Sequence, residues 1–421
     1  MECLRLLPLK DQKDILQKLV APNGDLGFTL GRIPMNANDY ACSWYSCDEV
    51  AGDFRLKYLI LNGIKNESFR LFMRFRVFVR ICVLDFSMVS AQLDEINADY
   101  PVRSDQMNVM DTRKDYILYE GEAGDRDDYK SPQGVFPAKL AVTDYMIQDP
   151  RYLQTYADYF RRFISAYQEQ GISISMVMFQ NESWSYTPYP GCAWKPESIL
   201  RFNADYLAPT LRKDHPNVEV YLGTINTNRY DLIESILSDE RAAQTFQGVA
   251  FQWEGGQILP RIRKNFPQYK YVQSESECGW GTFDWKAAEH TFQLINHYLQ
   301  NGCEEYTFWN VILSDDGTST WGWKQNALIR VNSETREVAF TPEYYAVKHY
   351  THYIRPGDQL IAAKTKGNDA MPVLVYKNGE GKYVIVAGNL NDEVRPLAIK
   401  IGDKVLKANL KAHSCNTFLM K

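Results

Sequence analysis

The sequence predicts an α/β fold, namely a TIM (β/α)8-type barrel followed by a C-terminal antiparallel β-sandwich domain. Strand-like apolar runs alternate with amphipathic helical segments through the middle of the chain, as in barrels of this type. From about Gln359 the periodicity changes to strict alternation, which is typical of antiparallel strands. The 421 residues exceed what one domain usually needs. We expect the barrel to span residues 1–355 and the small sandwich residues 356–421.

The N-terminal part predicts a helix and then a strand. Residues 1–20 resemble the helix that follows the first strand of a barrel, and residues 27–35 the next strand. The first strand is then missing from the chain as written. We expect a truncated N-terminus, because a barrel without one strand leaves two sheet edges unpaired. The same start explains why no signal peptide is visible, and localisation stays unassigned.

The middle of the chain predicts helices and strands in regular succession. In residues 150–170, Tyr152, Tyr156, Phe160 and Phe163 recur at helical spacing. The predicted elements that follow are a strand at 173–179, a helix at 196–212, a strand at 219–225, a helix at 229–237, a strand at 248–253, a helix at 259–266, a strand at 269–274, a helix at 285–301 and a strand at 304–313. In such barrels the chemistry is carried out at the carboxyl ends of the strands.

Composition excludes several classes of function. A net charge of -5 without a basic stripe argues against nucleic acid as a partner, and we expect no transmembrane segment, because no apolar run approaches about 20 residues. The 8 cysteines form no C-x-x-C pair and the 6 histidines no H-E-x-x-H motif, so we expect neither a metal nor a cofactor. Aromatic residues reach 13%, which suits either core filling or stacking on sugar faces.

Two carboxylates stand at predicted strand ends. Glu182 follows the run at 173–179, and Glu275 follows the run at 269–274. Two carboxylates placed in this way are the minimum equipment for hydrolysing a glycosidic bond. Glu277 rivals Glu275, because alternation along a strand would direct both side chains to the same side, so position alone does not choose between them.

Several motifs, in their order and spacing, carry a resemblance to a known family. They are GRIPMNANDY, WYSCDEVAGDF, QNES, PGCAW, FNADYLAPTL, GVAFQW, QSESECG, FWNVIL, WGWKQNALI and TPEYYAVKHYTHYIRPG. On these motifs the chain resembles glycoside hydrolase family 30, the glucosylceramidase-like enzymes, across nearly its full length. The resemblance implies a barrel with a side β-sandwich, retention of anomeric configuration and action on β-linked sugars.

The resemblance also implies roles for individual residues. The acid/base falls on Glu182 and the nucleophile on Glu275, which this register favours over Glu277. Retaining chemistry needs Glu182 protonated to donate and Glu275 ionised to attack, about 5 to 5.5 Å apart. Arg32 is similar to the arginine that hydrogen-bonds the nucleophile, and Asn181 to the residue that holds the sugar 2-hydroxyl.

Three further positions match family residues that contact the remaining hydroxyls and the sugar face. They are Asp39, Trp309 and Asn326. Two alternatives stay open, since Arg32 could pair a structural acid and Trp309 could be a core residue.

Residues 65–95 depart from the family, whereas residues 96–103 resemble it again. Methionine is always ATG and valine codons begin with G, so Met88-Val89 read one base later gives tryptophan. With synonymous codons chosen freely, residues 83–95 read in this shifted frame yield FWTSPWSPPSWMK, the motif expected after the third barrel strand. We therefore expect a pair of compensating single-base shifts, either real or from sequencing.

The altered segment predicts impaired activity. It carries four arginines among apolar residues at alternating spacing, namely Arg70, Arg74, Arg76 and Arg80. An arginine without a partner in the barrel core would cost several kcal/mol, enough to threaten a marginally stable fold.

The expected activity is therefore that of a retaining β-glycosidase on a β-linked glycoside or glycan. A glucosylceramidase-like β-glucosidase, with a role in carbohydrate and sphingolipid metabolism, is the first choice. An endo-β-1,6-glucanase of the same family and a catalytically impaired carbohydrate-binding homologue are the alternatives.

Overall fold

A computed structural model describes residues 2–35, 38–41, 47–48, 50, 53–59, 80–84, 146–184, 194–320, 322–362 and 370–420. Most of the segment with the expected frame shift, including Arg70, Arg74, Arg76 and Met88-Val89, lies outside the described residues. Of the four arginines only Arg80 falls in a described element, and it is described there by its backbone position.

The central sheet is parallel and curled, and its strands follow one another in chain order. Seven strands are described: β1 (Leu30–Pro34), β2 (Arg80–Leu84), β3 (Met176–Met178), β4 (Glu219–Ile225), β5 (Gly248–Gln252), β6 (Lys270–Glu275) and β7 (Glu305–Tyr306). Each pairs in parallel with its neighbour. Neighbour-to-neighbour parallel connection is the topology of a TIM barrel, and it confirms the predicted fold class.

Helices lie at the N-terminus, between these strands and, in one case, after them. They are α1 (Glu2–Arg5), α2 (Leu9–Val20), α3 (Pro150–Glu169), α4 (Pro196–Phe202), α5 (Ala208–Asp214), α6 (Tyr230–Leu237), α7 (Glu240–Thr245), α8 (Gly255–Asn265), α9 (Trp285–Gln300) and α10 (Pro342–Thr351). The start of α3 follows from its sequence, because the Asp149 side chain accepts a hydrogen bond from the Arg151 amide and Pro150 occupies the first turn.

The predicted helix at 196–212 contains an irregular turn. A π-helical turn, Asn203–Leu207, joins α4 to α5. The buried Asn203 side chain donates to the Ile199 carbonyl at 2.8 Å, within the turn before it. Such turns are rare, and nothing in the periodicity predicts this one.

The single strand predicted at 304–313 is wrong. The structure divides it into β7, in the barrel sheet, and β8 (Ile312–Ser314), which pairs with β9 (Ile329–Val331). Strand β9 also pairs with β10 (Val338–Phe340) in this three-stranded sheet. The division has a local cause, because Asn310 adopts a left-handed backbone conformation with φ of 64° between the two strands.

The C-terminal part consists of antiparallel sheets, as predicted. Strands β11 (Gln359–Leu360), β12 (Val373–Lys377), β13 (Tyr383–Asn389) and β16 (Ser414–Met420) form one sheet, and β14 (Arg395–Ile401) and β15 (Lys404–Leu410) form a hairpin. Leu397 and Leu410 of the hairpin pack with Ala387 of β13, so the two layers share a small core. This arrangement is consistent with the predicted sandwich, whose exact limits stay a prediction.

Two large apolar clusters organise the packing. One lies between the barrel strands and the helices outside them, and includes Phe160, Trp194 and Phe251. The other joins α2, α9 and α10 to strands β12 and β13. In the part of the chain that the structure describes, no helix combines the length and the apolar content needed to cross a membrane.

Candidate active site

The carboxyl ends of β1, β3, β5 and β6 bring a group of polar side chains together. Because parallel strands in a barrel end on the same face, residues far apart in sequence become neighbours there. Arg32 of β1, Asn181 and Glu182 after β3, and Glu275 of β6 are all joined in one hydrogen-bonded network. Four of the predicted site residues therefore lie in one site.

Glu275 is a buried carboxylate with a donor on each oxygen. Its side chain is 9% exposed, and Arg32 contacts Oε2 at 2.6 Å. The Trp253 indole Nε1 donates to Oε1 at 3.0 Å. A charged donor on one oxygen and a neutral donor on the other fix the orientation of the carboxylate.

Arg32 joins the ends of two strands. One guanidinium nitrogen contacts Glu275 and also donates to the Ser274 carbonyl at 3.0 Å, while the other donates to Asn181 Oδ1 at 2.7 Å. The Trp309 ring lies 5.6 Å from the guanidinium carbon. The fixed fork of a guanidinium suits this geometry, because each arm meets a different acceptor. Arg32 thus pairs with Glu275 itself.

The Asn181-Glu182 pair is held by residues from β4 and β5. Asn181 Oδ1 accepts hydrogen bonds from Thr224 and Gln252, both at 3.2 Å. Gln252 also donates to Glu182 Oε1 at 3.0 Å. The Glu182 amide donates to Thr224 Oγ1 at 3.0 Å, and its φ of 47° is left-handed. Strained backbone of this kind is common where a functional side chain must be aimed.

The two carboxyl groups have different surroundings. Glu275 is buried against a guanidinium, whereas the half-buried Glu182 receives a neutral amide donor. Such an arrangement can serve a reaction in which one carboxylate stays ionised while the other exchanges a proton.

Asp39 and Trp309 lie in a neighbouring part of the site and share a hydrogen-bond partner. Asp39 is buried and accepts from Gln325 Nε2 at 2.9 Å, while the Trp309 indole donates to Gln325 Oε1 at 3.0 Å. Trp309 is half-buried, and its ring also faces Arg32. Trp309 is therefore not a simple core residue.

Asn326 lies in a separate, buried cluster. Its side chain is fully buried and donates to Glu343 Oε1 at 2.9 Å. Burial is the main cause that raises the pKa of Glu343 to about 7. The contact of Asn326 with a sugar hydroxyl stays a prediction.

Glu277 is directed away from this network. Its carboxylate pairs with His290 at 2.7 Å in a partly exposed position, and this hydrogen bond raises the pKa of His290. The alternation that predicts a common side for Glu275 and Glu277 fails because β6 ends at Glu275. The geometry favours Glu275 over Glu277, in agreement with the family register.

Several side chains of the site are absent from the sequence-based set, and Thr224 of β4 is one of them. Gln252 and Trp253 stand at the end of β5, where polar or aromatic residues close an apolar run, and this position is itself a signal in a barrel. Gln325 lies in a loop next to Asn326, and no pattern of spacing distinguishes it.

Comparisons with known proteins place the chain in a family. Residues 145–354 match the profile described as the glycosyl hydrolase family 30 TIM-barrel domain. A Caenorhabditis elegans protein named as a glucosylceramidase is 23% identical over 443 residues, which cover 97% of this chain and 75% of the relative. The Mus musculus lysosomal acid glucosylceramidase is 25% identical over 293 residues, which cover 64% of this chain and 56% of the mouse protein.

The fold has solved counterparts. The structure of an endo-β-1,6-glucanase superposes with a TM-score of 0.78 at 17% identity, over 100% of this chain and 88% of that one. At this identity the likeness concerns the fold. On the profile match, supported by the relatives' names, this chain belongs to glycosyl hydrolase family 30 and is a glycosidase.

Proposed function

We propose that this chain is a retaining β-glycosidase that acts on β-glucosides in the manner of a glucosylceramidase. The observation that supports this best is the buried Glu275 carboxylate between Arg32 and Trp253, linked to Glu182 through Asn181 and Gln252. The substrate class rests on the names of the two relatives described above, both of which are named as glucosylceramidases.

In the proposed mechanism Glu275 is the nucleophile. Its carboxylate attacks the anomeric carbon and forms a glycosyl ester, while Glu182 donates its proton to the leaving oxygen. Glu182 then takes a proton from a water molecule, whose oxygen attacks the anomeric carbon. The bond from that carbon to the Glu275 carboxylate breaks, and the sugar is released with its original configuration. Arg32 and Trp253 hold the Glu275 carboxylate in place between turnovers.

Asn181, Asp39 and Trp309 are proposed to contact the sugar. Asn181 would hold the 2-hydroxyl, an interaction that strengthens in the transition state. Asp39 would accept from a further hydroxyl, and Trp309 would offer its ring to a sugar face. Asn326, whose buried side chain donates to Glu343, would contact another hydroxyl.

Separate replacement of the two carboxylates tests the mechanism. On an aryl β-glucoside, Glu275→Ala should reduce turnover to background, and azide should restore it with an α-glucosyl azide as product. Glu182→Ala should slow substrates with poor leaving groups by about 10²–10⁴-fold, the range of a lost general acid. It should slow a dinitrophenyl glucoside much less, because that leaving group needs no proton.

Glu277→Gln is the matched control. Since Glu277 pairs with His290 outside the network, its replacement should leave turnover near that of the wild type. If Glu277→Gln abolished turnover and Glu275→Ala did not, the assignment of the nucleophile would be wrong.

Two alternatives have distinct outcomes in the same assays. The fold likeness to an endo-β-1,6-glucanase favours β-1,6-glucan as the second substrate to test.

Activity of the chain as written is expected to be weak, because residues 65–95 depart from the family. Wild-type turnover at the level of an ordinary glycosidase would contradict that expectation, whereas sugar binding without any turnover would favour the carbohydrate-binding alternative.

A further inference from the structure

A segment formed by residues 315–320 and 322–326 links the loops after the two terminal strands of the barrel sheet. Strands β1 and β7 are the terminal strands of the described sheet, and each is followed by a loop that this segment contacts. The Thr320 amide donates to the Asp39 carbonyl at 2.8 Å. The Tyr40 hydroxyl donates to the Gly317 carbonyl at 2.9 Å. The segment thus binds the loop after β1 through two of its own backbone groups, the Thr320 amide and the Gly317 carbonyl.

Gln325 is the side chain at the centre of this link. It is 1% exposed. Its Oε1 accepts from the Trp309 indole at 3.0 Å and from the Asn310 side-chain Nδ2 at 2.6 Å, both in the loop after β7. The Tyr40 hydroxyl, whose one proton is shared with the Gly317 carbonyl, lies 3.0 Å from the same oxygen. Its Nε2 donates to Asp39 Oδ2 at 2.9 Å. One buried amide therefore joins the loops after both terminal strands.

The chemistry of these contacts calls for an amide. Two N–H donors and the shared Tyr40 hydroxyl converge on its oxygen while its nitrogen faces a carboxylate, and a side chain with both an acceptor and a donor satisfies them. An apolar side chain would leave the Asp39 carboxylate and the Trp309 indole without this partner in a buried place. A carboxylate would face Asp39 with like charge unless one of the two held a proton.

We propose that Gln325 is a positioning residue of the glycosidase site, which fixes Asp39 and Trp309 where they contact the sugar. This inference rests on the proposed function, since Asp39 and Trp309 are the sugar contacts proposed there. Gln325 acts through these two side chains. It has no contact in the structure with the Glu275 and Arg32 pair, so the chemical step should depend on it less than substrate binding does.

Kinetics on an aryl β-glucoside give the first test. Gln325→Leu should raise KM by roughly tenfold or more, the effect of losing a hydrogen bond to a charged group, with a smaller change in kcat. Gln325→Glu should raise KM at pH 8, and its KM should return toward the wild-type value as the pH falls toward 5, because the added carboxyl must be protonated to donate to Asp39. An unchanged KM in both variants would overturn the proposal.

Gln247→Leu serves as the control. Gln247 is half-buried just before β5, at the opposite end of the strand from the site, and its Oε1 accepts from the Val220 amide at 2.8 Å. This change should lower the unfolding midpoint without altering KM or its pH dependence. If it raised KM as much as Gln325→Leu does, the effect would be one of general stability and the proposal would fail.

Tryptophan fluorescence separates this inference from the proposed function. Gln325→Leu should shift the emission of the wild type, and the shift should vanish in a Trp309→Phe background, whether or not the protein hydrolyses glucosides. If the wild type neither hydrolyses nor binds a glucose-configured iminosugar, the proposed function is wrong. The coupling of Gln325 to Trp309 would then be tested by the emission shift alone: a shift that disappears in the Trp309→Phe background supports it, and one that persists there overturns it.

Discussion

Arg32 is the residue on which the geometry of the site depends, because it contacts Glu275 and Asn181 with different arms of its guanidinium. Arg32→Met would leave a buried carboxylate without its counter-charge. Removal of one partner from a buried ion pair destabilises a protein more than removal of one partner from an exposed pair. We expect kcat on an aryl β-glucoside to fall by about 10²–10³-fold, as for other lost donors of preorganised charge. The kcat of Arg32→Lys should lie between those of the wild type and Arg32→Met, because an ammonium group keeps the charge without the forked geometry of the guanidinium.

Arg161→Met is the control for this change. Arg161 pairs with Asp158 and Asp214 in a partly exposed position on the barrel surface. Exposed pairs contribute about 1 kcal/mol or less, so stability should change little and kcat should not change. Equal losses of kcat in the two variants would show that Arg32 has no special part in the reaction.

Glu343 gives stability a pH dependence of its own. Burial raises its pKa from 4.5 to about 7, with Asp284 acting in the same direction and Asn326 and His290 against it. The folded chain therefore holds this proton more tightly than the unfolded chain does. This contribution to stability is complete below about pH 4.5 and is lost as the pH rises through about 7.

Replacement by an uncharged amide tests this. Glu343→Gln should raise the urea midpoint at pH 8 relative to the wild type, and the difference should disappear at pH 4.5. Midpoints measured from pH 4 to 8 check the direction. A variant that is less stable than the wild type at pH 8 would mean that the Glu343 anion is well accommodated in its buried place.

At the scale of secondary structure, periodicity predicts most elements because burial imposes it. The apolar run at 219–225 becomes β4 and the helical spacing at 150–170 becomes α3. Local backbone conformation is less visible in a sequence. The left-handed Asn310 divides the predicted strand at 304–313, and the end of β6 separates Glu275 from Glu277. Loop residues such as Gln325 have no period, so their partners emerge only from the folded chain.

The pairing of β4 with β5 depends on a glycine. A Cβ on Gly248 would overlap the Tyr221 ring, which is 1% exposed and packs with the side chains inside the barrel. Because the ring has no room to move aside, Gly248→Ala should destabilise the fold by about 1–3 kcal/mol. Urea unfolding measures this. Gly379→Ala is the control, since nothing lies within 4 Å of its Cβ position, and a comparable loss there would contradict the steric explanation.

At the scale of the whole molecule, barrel helices and C-terminal strands share one apolar core. Phe292 and Ile295 of α9 and Val347 of α10 belong to the same buried cluster as Leu374 of β12 and Val386 of β13. The contact is close, because a Cβ on Gly388 of β13 would lie 2.8 Å from Phe292 Cε1. We therefore expect the proposed parts 1–355 and 356–421 to unfold together, although the sequence divides them by periodicity.

Truncation of Phe292 tests this coupling. Its ring is fully buried, lies 4.8 Å from the Tyr350 ring and touches β13, so Phe292→Ala should cost about 3–5 kcal/mol. Two probes follow its unfolding: tryptophan fluorescence, which reports mainly on the barrel, and proteolytic cleavage within the C-terminal strands. Both should show one common transition, at a lower urea concentration than in the wild type. Leu419→Ala, at a side chain that is 61% exposed on β16, should leave both probes near the wild-type midpoint. Two separate transitions in the wild type, with only the C-terminal one moved by Phe292→Ala, would mean that the strands form an independent domain and that the shared core does not couple them.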